Sequence, residues 1–467
     1  MTHHLFTHGH EPSPAHRGRA KPAARRRWPV LGTAGVCLCL AAGAAIAADT
    51  GHHTGSGAAA ARSSRDAAHG YRGYHAGRAG ARASDRSVGR AYQFLTLMLN
   101  LYDPVGGGSP ADLPTLPQSY LGGVLSLEHY TVSAVYDDAL VVDAYLAMHT
   151  GWGDVRAERV GNALVYLERH RPGPPGRLFD EYGPGGLSRP GDVRVASHAS
   201  NTGDVAWAGL ALAQLYAATG NIRYLDAAVG VGHWIQANCL SSRGPGGYTG
   251  GYNSPGDRIG WKSTEHNIDV FALFRLLARL TGQHVWLDRA GHARRFVLAM
   301  WDWPPGAFDV GTIANGVSIN ESVQAEDVNS WSYLALHDPG YAASVGWVIR
   351  NLASTAGRFP GVSVSTCDRG GVWFEGTAHL ADALESLGTS ADIRRAAGYL
   401  ASIRSAQQHG PNADGLGIMA ASEDGLTDCE GNFLYASLHT GTTAWYILAA
   451  KALDPLSATP LVDQPVH

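Results

Sequence analysis

Two ten-residue stretches, TGNIRYLDAA at 219–228 and TGQHVWLDRA at 281–290, repeat one pattern, and TGWGDVRAER at 150–159 is a looser third copy. Each follows a segment that is apolar on nearly every side, such as VAWAGLALAQLYAATG or VFALFRLLARLTG. Each opens a segment with a single apolar stripe. In the third copy Val160, Leu164 and Leu167 share one face, while Arg156, Arg159 and Glu168 point away. A helix apolar all round must be enclosed, whereas a one-stripe helix lies outside. The joint glycine suits a helix C-terminus, where φ is positive, and the aspartate belongs to the outer helix that follows. Repeated pairs of enclosed and outer helices allow only a solenoid or a closed ring.

The enclosed helices begin near Asp138, Asp204, Glu265, Asp327, Glu375 and Thr442, at intervals of roughly 60 residues. Six pairs with an enclosed inner layer predict a closed (α/α)6 toroid, since an open stack needs polar end caps and a tighter period. This pattern, over residues 87–455, resembles the six-hairpin glycosidase superfamily, whose inner helices form a barrel with a cleft at one end. The resemblance implies a glycan-active enzyme, with hydrolysis, elimination and epimerisation all open and no single family matched motif by motif.

In antiparallel pairs all inner helices run the same way, so their N-termini collect at one end. Five of the six starts carry Asp or Glu. Any one of them can simply cap its helix, and Asp204 in SNTGDVAW is read that way. Several carboxylates facing one hollow repel each other, which favours a functional origin for the group. Glycosidic hydrolysis needs two carboxyls, one protonated and one activating water, about 6.5–9.5 Å apart when configuration inverts. Glu265, in GWKSTEHNID, is expected to be the acid, walled by Trp261 and an apolar helix. Asp138 in YDDAL, or else Asp327 in AEDVNSW, is expected to be the base, with Asp137 and Asp269 lining the site. Glu375 in GGVWFEGTAH is a further cleft carboxylate. His266 carries the rival reading of a lyase or epimerase that moves a proton. Tyr248, Tyr252, Trp261, Trp331 and Trp373 are expected to stack on sugar rings, although tryptophans in a helical barrel are also ordinary core. A non-catalytic toroid that binds cell-envelope glycan is the reading outside enzymes.

Composition agrees. At 45% hydrophobic, 16% charged and net charge −4, the chain supports a large core and lacks the basic balance of a nucleic-acid binder. It shows no phosphate-binding loop, dinucleotide fingerprint or nucleophile elbow, and no Cys/His spacing resembling a zinc site, so no cofactor or metal is expected. A monomer acting on carbohydrate is expected.

Residues 1–48 join an arginine-rich start to the apolar run WPVLGTAGVCLCLAAGAAIAA, ending in a small-residue site at Ala45–Ala47. This is read either as a cleaved export signal or as a retained membrane anchor, which places the protein outside the cytoplasm. Residues 49–86, rich in Gly, Ala, Ser and Arg, are expected to be a disordered linker, and 456–467 a disordered tail. Export permits a disulfide. Cys367 with Cys429 is the expected pair, leaving Cys239 buried at a helix end.

Overall fold

In a computed structural model, the described residues are 47–49, 78–102, 113–170, 175–189, 191–429 and 431–465. Most of the export segment and the linker lie outside them. Among the described residues no helix is long and apolar enough to cross a membrane.

Six inner helices follow in chain order: α2 (Val135–Leu146), α4 (Thr202–Thr219), α6 (Thr264–Thr281), α8 (Asp327–Leu336), α10 (Phe374–Leu387) and α12 (Thr440–Ala450). Five are paired with the outer helices that succeed them: α3 (Gly151–His170), α5 (Ile222–Asn238), α7 (Val285–Ala299), α9 (Ala343–Asn351) and α11 (Ser390–His409). The sixth, α12, takes its outer partner from the other end of the chain, α1 (Arg78–Asn100). Each inner helix packs on the next, and α12 packs back on α2, so the ring closes. The fold is the expected (α/α)6 toroid.

The inner helices are enclosed as their composition requires. Every residue of α2 is buried, as is α4 from Thr202 to Leu215. The joints at Gly220 and Gly282 are left-handed C-caps, each with φ 68°, which only glycine adopts without strain. At the looser third copy the left-handed residue is His149, while Gly151 starts α3. Arg159 does not point outward: its guanidinium turns in to Asn100 Oδ1 at 2.8 Å and Thr115 Oγ1 at 3.0 Å.

Two segments are more ordered than their composition suggests. The helix α1 begins at Arg78, inside the stretch read as linker. Residues 456–465, the described part of the 456–467 stretch read as a tail, pack against the ring. There Leu456 and Leu461 are fully buried, and the Leu461 N–H donates to Gln214 Oε1 on α4 at 2.9 Å. Cys367 and Cys429 form the expected disulfide, and Cys239 is buried and free.

Short antiparallel ladders lash the loops together at the N-terminal end of the inner helices. Leu438–His439 lies between Tyr120–Leu121 and Ile418–Met419, and Ser133–Ala134 pairs with Glu181–Tyr182. These ladders fix the residues that enter the ring.

Candidate active site

Below the helix starts the ring is filled by aromatic side chains. Trp207, Trp331 and Trp445 have centroids 5.4–5.9 Å apart, and Tyr136 meets Trp207 edge-on at 5.4 Å. Offset and edge-on contacts of this kind are the favoured aromatic geometries. Trp331 and Trp373 are therefore core walls, flanking His379 at 4.9 and 5.2 Å.

On this floor sits a polar network drawn from four inner helices. Glu375, at the start of α10, accepts from Tyr136 Oη at 2.7 Å and from Thr442 Oγ1 at 3.0 Å. His439 Nδ1 lies 3.2 Å from Glu375 Oε2, and its Nε2 lies 3.1 Å from Asp137 Oδ1. Tyr120 stacks on the His439 ring at 4.4 Å, its loop held by the ladder just described. On the other side of Glu375, His379 Nδ1 lies 3.2 Å from Glu326 Oε2 while its Nε2 stays 3.8 Å from Glu375 Oε1.

The two histidines are in opposite states. Burial opposes a charge on His439, but Asp137 and Glu375 outweigh it and push its pKa up to about 10. Its Nδ1 also lies 3.2 Å from the Thr442 backbone nitrogen, a cap that only the neutral ring could accept. Two carboxylates outweigh one neutral donor, and the imidazolium is the favoured form. For His379 burial outweighs the opposing charge of Glu375 and drives its pKa down to about 3. Glu375 would be raised by burial, yet the bonds and charge of His439 hold it below the usual carboxylate range.

Four other carboxyls at this end have raised pKa values. Burial lifts Asp327 to about 7; the Val328 N–H at 2.7 Å opposes this, and the charges of Asp428 and Glu375 add to it. Burial and the Asp327 charge raise Asp269 and Glu326, while burial, Asp180 and Glu181 raise Asp204. Asp204 is not a cap: it lies inside α4, and its Oδ1 has no hydrogen-bond partner among the described residues.

The expected residues divide. Asp137, Asp327, Glu375 and Asp269 share the ring end, where Asp269 senses the charge of Asp327 and Asp327 that of Glu375. Asp138 is adjacent but turned to Ser133, whose hydroxyl donates to it at 2.6 Å; the member of the pair that crosses the ring is Asp137. Glu265 and His266 are buried at the start of α6, where Ser263 caps the helix. Among the described residues neither ring nitrogen of His266 has a hydrogen-bond partner, and burial lowers its pKa to about 3. Trp261, partly exposed, lies 5.7 Å from that ring. Tyr248 and Tyr252 are not at the carboxylates: Tyr248 donates to Gln236 on α5 at 2.8 Å, and Tyr252 packs on Trp234 of the same outer helix. The carboxyls are 0–2% exposed, so the expected open cleft is covered by its loops.

Sequence reading sees His379 and His439 at inner-helix starts and Tyr136 and Glu326 beside candidate acids, but gives none of the four a place in the network. The signal was present for His379, which follows Glu375 by one helical turn in FEGTAH and so shares its face. Among the described residues no cluster of His, Cys, Asp or Glu has the arrangement of a metal site.

No family model and no curated protein matches the sequence. Solved structures do. A sugar epimerase from a ruminal bacterium superposes with a TM-score of 0.57 at 11% identity, covering 80% of this chain and 100% of that one. The cellobiose 2-epimerase of Bacillus thermoamylovorans gives 0.56 at 11% identity over 78% and 98% of the two chains. A family 76 glycoside hydrolase (mannosidase) of Bacteroides thetaiotaomicron gives 0.54 at 12% identity over 78% and 97%. At 11–12% identity these likenesses show the fold, a closed (α/α)6 toroid.

Proposed function

We propose that the protein is an exported, carbohydrate-active toroid that cleaves a glycosidic bond by acid/base catalysis at the N-terminal end of its inner helices. One observation carries this reading: Glu375 is held ionised while Asp327, within reach of its charge, is lifted to about 7. Carboxyls pushed apart in this way take the two roles that hydrolysis needs. Asp327 donates a proton to the leaving oxygen, in place of Glu265 favoured from sequence. Glu375 stays ionised, as a base or a stabiliser of positive charge on the sugar ring requires. Substrate reaches them when the covering loops shift, entering past Trp261. The disulfide suits an oxidising compartment and supports export.

Epimerisation is the second reading, favoured by neutral His379, whose Nε2 has no hydrogen-bond partner beside Glu375. A neutral imidazole with a free lone pair can remove a proton next to a sugar carbonyl. The similarity to epimerases as well as to a glycosidase leaves both chemistries on this scaffold.

One experiment separates them. The protein is incubated with a panel of oligosaccharides in D2O, and new reducing ends and deuterium incorporation at carbon are followed by NMR. Hydrolysis gives reducing ends without carbon-bound deuterium, and Glu375→Gln and Asp327→Asn abolish it. Deuterium uptake with the chain intact replaces hydrolysis by epimerisation. No turnover of any glycan removes the enzymatic reading.

A further inference from the structure

A groove of about 530 Å³ runs between the outer helices α5 and α7, on the flank of the ring. Leu240 and Val285, both well exposed, give it an apolar surface, and Arg289, His292 and Arg295 wall one side. Leu240 and Ser242 also line a second hollow of about 320 Å³, walled by Arg243 and Arg258. The shared edge makes one path, which runs from the flank to Ile259 and Gly260, next in the chain to Trp261.

Four arginines along one path are notable in a chain of net charge −4. Arg169, Arg189, Arg279, Arg294 and Arg395 form ion pairs, and none of them lines the groove. The one acid in the lining, Asp288, faces His284 at 3.5 Å. Two groove arginines are held in place by neutral partners instead. Arg289 lies 4.5 Å over the Trp286 ring with Nη1 3.3 Å from His233 Nδ1, and Arg258 Nη2 donates to the Leu240 carbonyl at 3.2 Å. Their charge is therefore fixed and uncompensated. Guanidinium groups of this kind suit carboxylate or phosphate substituents, and the apolar strip suits the hydrophobic faces of sugar rings.

We propose that this groove binds an anionic polysaccharide and delivers it to the ring end. The proposal rests on the carbohydrate reading above and narrows its substrate class. The acidic group is either carboxylate or phosphate, and the test distinguishes them.

Binding of the full chain is measured by affinity electrophoresis against polygalacturonate, phosphomannan, unsubstituted mannan and polyuridylate. The same is done for the triple variant Arg243→Gln/Arg258→Gln/Arg295→Gln, whose three side chains are exposed, and circular dichroism checks its fold. One acidic polysaccharide is expected to bind at least about tenfold tighter than mannan, with the triple variant losing roughly that factor. Added salt weakens the acidic binding alone, and lysines at the three positions restore most of it. Equal affinity for mannan, an unaffected triple variant, or polyuridylate bound as tightly as polysaccharide overturns the proposal. Binding is read without turnover. Acidic chains bound through these arginines but never cleaved would leave the groove standing and remove the catalytic reading. Cleavage of glycans without charge preference would do the reverse.

Discussion

His439 Nε2 lies 3.1 Å from Asp137 Oδ1, and 302 residues separate the two in the chain. The pair joins the last inner helix to the first, so the contact that closes the ring also orders its polar centre. Glu375 completes a row in which one imidazolium is shared between two carboxylates. A charge so deeply buried is tolerated because every neighbour that offsets it is in place.

Removing one partner should therefore be costly. Asp137→Asn or His439→Ala is expected to lower unfolding free energy by about 3–5 kcal/mol, since a buried charge is left uncompensated. Gly441→Ala should act on the same pair, because an added Cβ would press on Asp137 Oδ1 and sit 2.9 Å from His439 Cε1. Urea unfolding followed by circular dichroism measures all three.

The pair also sets a pH dependence. The His439 pKa rises from 6.5 to about 10 on folding, so between those values the native state binds more protons than the unfolded chain. Its stabilisation is complete below pH 6.5 and is lost as pH climbs toward 10. Urea midpoints of the wild type should fall across that window. A His439→Gln variant should start lower and show a flatter slope.

Activity should follow Asp327 instead. A donor lifted to about 7 is protonated below that pH, so kcat/KM is expected to fall as pH rises through 7. Asp327→Asn should lose a factor of about 10²–10⁴ and with it this alkaline limb. Glu375→Gln should lose as much at every pH, because its carboxylate is ionised throughout the neutral range. Pre-steady-state and steady-state rates on the cleaved oligosaccharide read both.

The ring was legible because its physical cause is repetitive: helices apolar on all sides, glycine at their ends, and an outer stripe on each successor. The end at which the acids gather was legible too, since five helix starts carried one. Which acid faces which was not. Asp137 and Asp138 are adjacent and alike in composition, and their roles are settled by Ser133 on one side and His439 on the other. Both partners arrive through tertiary contacts: Ser133 in a ladder with the 181–182 strand, His439 from a distant strand. Likewise Tyr248 reads as a loop aromatic, yet Asn267 bonds its backbone N–H at 2.8 Å and fixes the residue against the outer wall. Trp207 and Trp445 gave no sign that they would fill the lumen rather than line it.

The disulfide offers a test independent of chemistry. It closes a loop of 62 residues between the segment before α10 and the segment before α12. Chain-entropy estimates give a loop of that length about 4 kcal/mol, acting through the unfolded state. Cys367→Ser/Cys429→Ser, or reduction by dithiothreitol, should lower the thermal midpoint by several degrees. Because Asp428 adjoins Cys429 and its charge reaches Asp327, the alkaline limb of activity should shift in the same variant.

Carboxyls kept at a stability cost are the sharpest sign that the ring end is built for chemistry. Asp269 is fully buried, and burial with the Asp327 charge raises its pKa well above 3.8 against the opposing hydrogen bond of Trp207. A carboxyl whose pKa rises on folding stabilises the native state only at low pH, and that contribution disappears as pH climbs from its unfolded value through its folded one. At pH 8 the native state must either keep that proton against the solvent or bury a charge. Asp269→Asn removes the choice while preserving shape. Its expected effect is a gain of about 0.5–2 kcal/mol at pH 8 with little change at pH 4, read by urea unfolding at the two values. If function retains the acid, the same variant should also lose turnover. A stabilised Asp269→Asn protein with full activity would mean that this carboxyl takes no part in the reaction.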